Sequence, residues 1–122
     1  MVNSRRKGHD GEREIVKRLK EGLASSEIHR NWMAQSADGG ADILLEHWAV
    51  EVKRAKAPLI RDWWTQAAQQ AAIAGKKPVL IYRLDRQEWR AMISMRDLRP
   101  DLNDFRQVTI DLESFINLVR LE

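Results

Sequence analysis

Apolar residues in the first fifth of the chain recur with a helical period. Ile15, Val16, Leu19 and Leu23 predict a helix starting near Lys7 to Asp10 and running to about Glu21, with Gly22 as its stop. Glu27 to Met33 reads as a short strand, and Gln35-Ser36-Ala37-Asp38-Gly39-Gly40 as a loop by composition. Ala41 to Leu45 and Trp48 to Lys53 read as two strands joined tightly at Glu46-His47. After Pro58 the period lengthens again. A second helix is predicted from about Leu59 to Ala74, ended by Gly75. Pro78 to Leu84 and Trp89 to Met95 read as a strand pair turning at Asp85-Arg86-Gln87. The stretch from Arg96 to Arg106 reads as irregular around Pro100, before a strand at Gln107 to Ile110 and a helix from Leu112 to Val119. The predicted order is α-β-β-β-α-β-β plus a short β-α tail, which makes a mixed sheet flanked by helices.

Two positions break this pattern. With 100° per residue, Val16, Leu19 and Leu23 all fall within about 40° of Glu12, so Glu12 sits at the centre of the apolar stripe while Glu14 falls on the wet side. A carboxylate aimed at a core is costly unless it is paired, hydrogen-bonded or bound to a metal. The competing reading places Glu12 in a solvated first turn, where the helix dipole favours an acid. On the second helix, Trp63, Gln66, Gln70 and Ile73 share one direction, so two glutamines interrupt a face that should be buried. They serve either a site or the backbone groups at a sheet edge. Trp48 and Trp89 read as core. Trp63 and Trp64 cannot both face inward, which leaves one for a surface patch, a dimer contact or a stacking platform.

The hairpin carries the chemistry. If Leu45 opposes Trp48, the pairing continues outward to Asp42 opposite Glu51, with Cβ atoms about 5 Å apart. Strand alternation puts Ala49, Glu51 and Lys53 on one face, and Trp48, Val50 and Val52 on the other. Two ionised carboxylates that close repel by about 3 kcal/mol at an effective dielectric near 20. Lys53 offsets only one of the two charges. Asp42, Glu51 and the backbone carbonyl of Val52 would suit Mg²⁺, which keeps several waters. Lys53 then positions or deprotonates the attacking water, or steadies the anionic intermediate; the residues do not choose between these.

Composition narrows the classes. The 122 residues, 43% hydrophobic and 32% charged, fit one domain over 1–122 with a core of about 5–95 and a tail of 96–122. The absence of cysteine removes disulfides and thiolate sites. No apolar run reaches the roughly 20 residues of a bilayer span, and the basic N-terminus lacks the apolar stretch of a secretory signal. A cytoplasmic setting is expected. Net charge is +3, distributed unevenly: residues 1–20 carry +4, 21–50 carry −4, 51–96 carry +6 and 97–122 carry −3. Basic blocks around an acidic one suit a polyanion site built about a cation centre, although solvated surfaces give the same pattern.

Glu12, Asp42 and Glu51-Val52-Lys53 resemble the PD-(D/E)XK nuclease signature. More narrowly, Lys7-Gly8…Gly11-Glu12-Arg13-Glu14, Gly40-Ala41-Asp42-Ile43 and Val50-Glu51-Val52-Lys53 resemble the archaeal-type Holliday junction resolvases and their phage relatives, over about residues 5–95. Ala41 departs from the motif, which has Pro there.

The resemblance implies a restriction-endonuclease-like fold and a homodimeric, Mg²⁺-dependent endonuclease acting on branched DNA, with Mn²⁺ as a substitute metal. No nucleotide cofactor and no membrane partner are expected. Glu12 would be the helical acid and a further metal ligand, Asp42 and Glu51 the metal-binding carboxylates, Lys53 the catalytic lysine and Gln66 the polar position on the following helix. Ser36 would stand near the scissile phosphate. Arg5, Arg6, Lys7, Arg30, Arg54 and Lys56 are the expected phosphate contacts, which position DNA without reading its sequence. The alternatives are a nuclease of the same chemistry acting on flaps, forks or single strands, a non-catalytic DNA-binding module with this fold, and a purely structural assembly protein.

Overall fold

In the computed structural model the described residues are 4–25, 28, 30 and 41–122, with side chains described from Asp10 onward. Helix α1 (Ser4–Leu23) leads into β1 (Ile43–Leu44) and β2 (Trp48–Ala55). Helix α2 (Ile60–Ala74) then connects β2 to β3 (Lys77–Leu84), and β4 (Arg90–Ser94) follows. A single helical turn, α3 (Met95–Leu98), and a 3₁₀ turn (Pro100–Leu102) precede β5 (Gln107–Asp111) and α4 (Leu112–Arg120). The five strands lie in the order β1-β2-β3-β4-β5. Strands β2 and β3 run parallel, and every other pair is antiparallel. A mixed sheet flanked by helices is the architecture expected. The predicted strand at 27–33 lies outside the described residues except for Ile28 and Arg30, and Arg30 forms an isolated antiparallel bridge to Ile43.

The sheet divides two cores. On one face Trp48, Val50 and Val52 of β2 join Val79, Ile81, Ala91 and Ile93 beneath α1 and α4. On the other face Leu80 and Tyr82 pack against Trp63 and Ala67 of α2. Both faces of β2 are therefore covered, as its nearly continuous apolar run requires of a central strand with a parallel neighbour.

Several local expectations are corrected. Gly22 does not stop α1. The helix runs on to Leu23, and Ala24, with φ of 52°, makes the left-handed turn, its end closed by the Ser25 N–H donating to the Lys20 carbonyl. Gly22 is needed for contact, because a Cβ there would lie 2.6 Å from Ile116 Cγ2 of α4. Gly75 does end α2, with φ of 67° and its N–H returned to Ala71 and Ala72 carbonyls.

The buried face of α2 is Trp63, Ala67 and Ala71, while Ile73 is 76% exposed. Ala71 meets Ala41 and Ala49 there, so small side chains set the face by letting the helix come close to β2. Trp64 is half-buried against the same cluster as Trp63, so both indoles contribute to packing. Finally, the irregular stretch after Arg96 contains two helical turns. The second starts at Pro100, whose fixed φ suits that position, and is held by the Leu102 and Asn103 N–H groups donating to Arg99 and Pro100 carbonyls.

Candidate active site

The β1–β2 register is Ile43 opposite Val50 and Leu44 opposite Ala49, and the Leu45 N–H donates to the Trp48 carbonyl at 2.9 Å. Extending that register sets Asp42 opposite Glu51, as the strand pattern predicted. Asp42 lies one residue before β1, and its Oδ2 accepts from the Val52 N–H at 2.8 Å. This bond fixes the carboxylate beside β2 without a full strand partner.

Glu51 is 3% exposed. Its Oε1 accepts from Gln66 Nε2 at 3.1 Å and lies 3.6 Å from the Lys53 ammonium. Its Oε2 is buried and has no hydrogen-bond partner among the described residues. Gln66 itself stands at an exposed position on the flank of the buried face of α2, from which its amide reaches over to β2. One of the two glutamines therefore orients a site carboxylate.

Burial drives both carboxyls upward. Asp42 is pushed up to about 6, chiefly by burial and also by Glu12, against the Val52 N–H and Lys53. Glu51 is pushed up to about 8 by burial and then by Asp42, with Lys53 pulling the other way. Metal-free, the two carboxyls resist holding two full negative charges. An orphaned buried oxygen beside a second carboxylate needs either a shared proton or a cation. Hard oxygens in this state fit a divalent ion, which Mg²⁺ sites commonly bind through one or two carboxylates and several waters. Among the described residues no group of three or more acidic or histidine side chains is gathered as a metal centre.

Glu12 explains part of that. It lies more than two turns into α1, so the solvated first-turn reading does not hold. Its Oε2 accepts from Arg30 Nε at 2.7 Å, and both side chains are largely buried. Glu12 thus comes near enough to Asp42 to raise its pKa, yet carries its own counter-ion. Arg30, expected to reach phosphate, is only 7% exposed and is committed to that ion pair. Gly11 helps bring Glu12 in, since a Cβ at Gly11 would already touch Trp89, Arg54 and Val52.

The other expected contacts sort simply. Arg54 is half-buried and Lys56 exposed, both just beyond Lys53. The side chains of Arg5, Arg6 and Lys7, and the whole of Ser36, lie outside the described residues. Glu14 has partners that the helical pattern does not reveal. Although it is on the nominally wet side of α1, its Oε2 accepts from the Trp89 indole N–H and its Oε1 lies 4.0 Å from Arg83. The periodicity of one helix gives no sign of a tryptophan arriving from the strand beyond.

A mixed sheet with a helical acid, an aspartate before the hairpin and a Glu-x-Lys on its second strand defines the class of PD-(D/E)XK nuclease folds. A family described as "Phage putative PDDEXK endonuclease" matches residues 3–117, and the chain belongs to that family. Among solved structures it is similar to Hjc from Archaeoglobus fulgidus, a Holliday junction resolvase from an archaeal hyperthermophile. The two are 22% identical, the match covers 83% of this chain and 84% of that one, and the TM-score is 0.51. That likeness carries the restriction-endonuclease-like fold. A comparison with curated protein sequences finds no match.

Proposed function

We propose that this chain is a divalent-metal-dependent, structure-specific DNA endonuclease that resolves four-way junctions, acting as a homodimer that makes paired symmetric nicks. The observation that carries the hydrolytic reading is the buried Asp42–Glu51 pair with its unpartnered oxygen, set beside the Lys53 ammonium. A non-catalytic module has no reason to keep two carboxyls whose ionisation burial opposes. The junction reading is supported by likeness of fold to a resolvase and by the resemblance of motifs.

Asp42, Glu51 and the Val52 carbonyl would hold Mg²⁺, with Mn²⁺ able to replace it. The ion supplies charge stabilisation at the phosphoryl oxygens and a more acidic water. Gln66 fixes the orientation of the Glu51 carboxylate by donating to its Oε1. Lys53 offers an ammonium at the mouth of the pair, suited to steadying the anionic phosphorane. Glu12 adds negative potential that favours a cation at Asp42, and its ion pair with Arg30 holds its carboxylate in place. Arg54, Lys56 and the basic start of α1 (Arg5, Arg6 and Lys7) would lie along the phosphates, with Ser36 near the scissile one. Two such sites in a dimer would set junction preference by their separation and angle.

Labelled four-way junction, flap, fork, duplex and single-stranded substrates in Mg²⁺ test the reading together. Symmetric paired nicks in the junction, with the other substrates cut at least tenfold more slowly, are expected. Faster cutting of flaps, forks or single strands would assign the same chemistry to that substrate instead. Binding with no cutting in either metal would leave a DNA-binding module.

A further inference from the structure

A second concavity, with charged side chains at its rim, lies at the other end of the sheet from the Lys53 side of β2. It is a cleft of about 490 Å³ between the start of β3 and the segment from α3 to β5, lined by Lys76, Lys77, Ser94, Arg96, Asp97 and Phe105 among others. Strand register relates it to the carboxylates. Pro78 and Ser94 line the cleft; Ala49 is level with Pro78, which is extrapolated as level with Ser94, two residues before Glu51 on the same sheet face. Strand spacings put Pro78 and Ser94 about 8–12 Å from Glu51 within the sheet, with Ala71 of α2 packed on Ala49 between the two places.

Three cations and one acid give the cleft a positive balance. The Arg96 guanidinium lies 5.0 Å over the Phe105 ring, and Phe105 is 59% exposed. Lys77 is steadied with its ammonium 5.2 Å over Trp48, and Lys76 donates to the Leu45 and Glu46 carbonyls. An exposed aromatic ring capped by arginine beside lysines is the combination that stacks a base and neutralises its phosphates. Asp97 holds its proton more tightly than a free carboxyl because of burial, with Lys77 and Arg96 opposing, and it offers an acceptor for the amino group of a base.

We infer that this cleft is a second nucleic-acid site, taking an unpaired nucleotide of the bound DNA, with Phe105 and Arg96 as its stacking wall and Lys77 as the cation beside its phosphate. The inference rests on the DNA reading above and adds a contact that the catalytic motif does not include. It gives the segment after Met95 a role in holding unpaired DNA.

The test uses the full chain in EDTA, with fluorescence anisotropy on a labelled twelve-nucleotide oligo-dT and on a labelled four-way junction. Phe105→Ala is expected to weaken oligo-dT binding about tenfold, the loss of one stacked base. Arg96→Glu is expected to weaken it at least as much and to flatten the slope of log K against log salt by about one unit or more. Both side chains are at the surface, so both variants should melt with wild type. Wild-type affinity of both variants for both probes would overturn the cleft. If the wild-type chain binds but cuts nothing in Mg²⁺, the nuclease reading fails while the cleft is still judged by the two variants. If it binds neither probe, both fall.

Discussion

The carboxylate edge and the C-terminal β5–α4 unit sit on the same framework and solve opposite problems. In the C-terminal unit every observed feature favours the folded state. Leu112, Phe115 and Ile116 are buried, and Phe115 meets Trp48 edge-on at 5.2 Å. Asp111 caps α4 by accepting from the Ser114 N–H, and Arg120 donates twice to the Gly22 carbonyl. At the carboxylate edge, by contrast, two acids are buried against their charge and one oxygen is unsatisfied. Apolar packing at one end stabilises a fold that carries electrostatic strain at the other, the usual relation between a scaffold and a site. The comparison predicts that substitutions in the two regions separate stability from activity.

The largest stability loss belongs to the C-terminal unit. Phe115→Ala empties a fully buried aromatic site and should cost about 3–5 kcal/mol, read from the urea midpoint with an unchanged m-value. A loss below about 1 kcal/mol would mean that α4 is not part of the cooperative core. Gly22→Ala comes next. Alanine is worth about 1 kcal/mol more than glycine inside a helix, but its Cβ would meet Ile116 Cγ2 at 2.6 Å. Overpacking of about 1–3 kcal/mol should win, lowering the melting temperature. A rise in melting temperature would mean that α1 and α4 separate easily.

At the carboxylate edge the sign reverses. Both folded-state pKa values lie above their ordinary values of 3.8 and 4.5, so the metal-free folded chain keeps protons that the unfolded chain has released. Their contribution to stability is complete below about pH 4 and is lost as pH rises through about 6 and then about 8. Glu51→Gln should therefore stabilise the metal-free chain at pH 8 by about 1–3 kcal/mol, and much less at pH 5. Thermal melts in EDTA at the two pH values check this. A destabilised variant at pH 8 would contradict the repulsion. The smallest effect is expected for Arg120→Ala, about 0.5–1.5 kcal/mol for exposed hydrogen bonds to one carbonyl, measured by the same melts.

Much of this contrast was legible along the chain, for identifiable reasons. Strand alternation and a two-residue connection were enough to oppose Asp42 to Glu51, because both are local geometry. The wheel picked out Glu12, because a helix packed on a sheet has one inward stripe. Features that depend on a partner from distant sequence were not visible. Gly22 looked like a helix stop because Ile116 lies far along the chain, and Glu14 looked solvated because Trp89 does. Hydrophobicity alone centres the α2 face on Ile73 rather than on Ala67 and Ala71, although close approach to Ala49 favours small residues. Arg30 looked like a phosphate contact because charge alone does not reveal Glu12 as its partner.

The most direct test of the site is single-turnover cutting of a labelled four-way junction by wild type and by Glu51→Gln in Mg²⁺, with binding of the same junction followed in EDTA. Cutting by wild type, a loss of at least a hundredfold in the variant and equal binding by both are the predicted result. Equal cutting by the two proteins would contradict the account, since hydrolysis would then not depend on the buried pair.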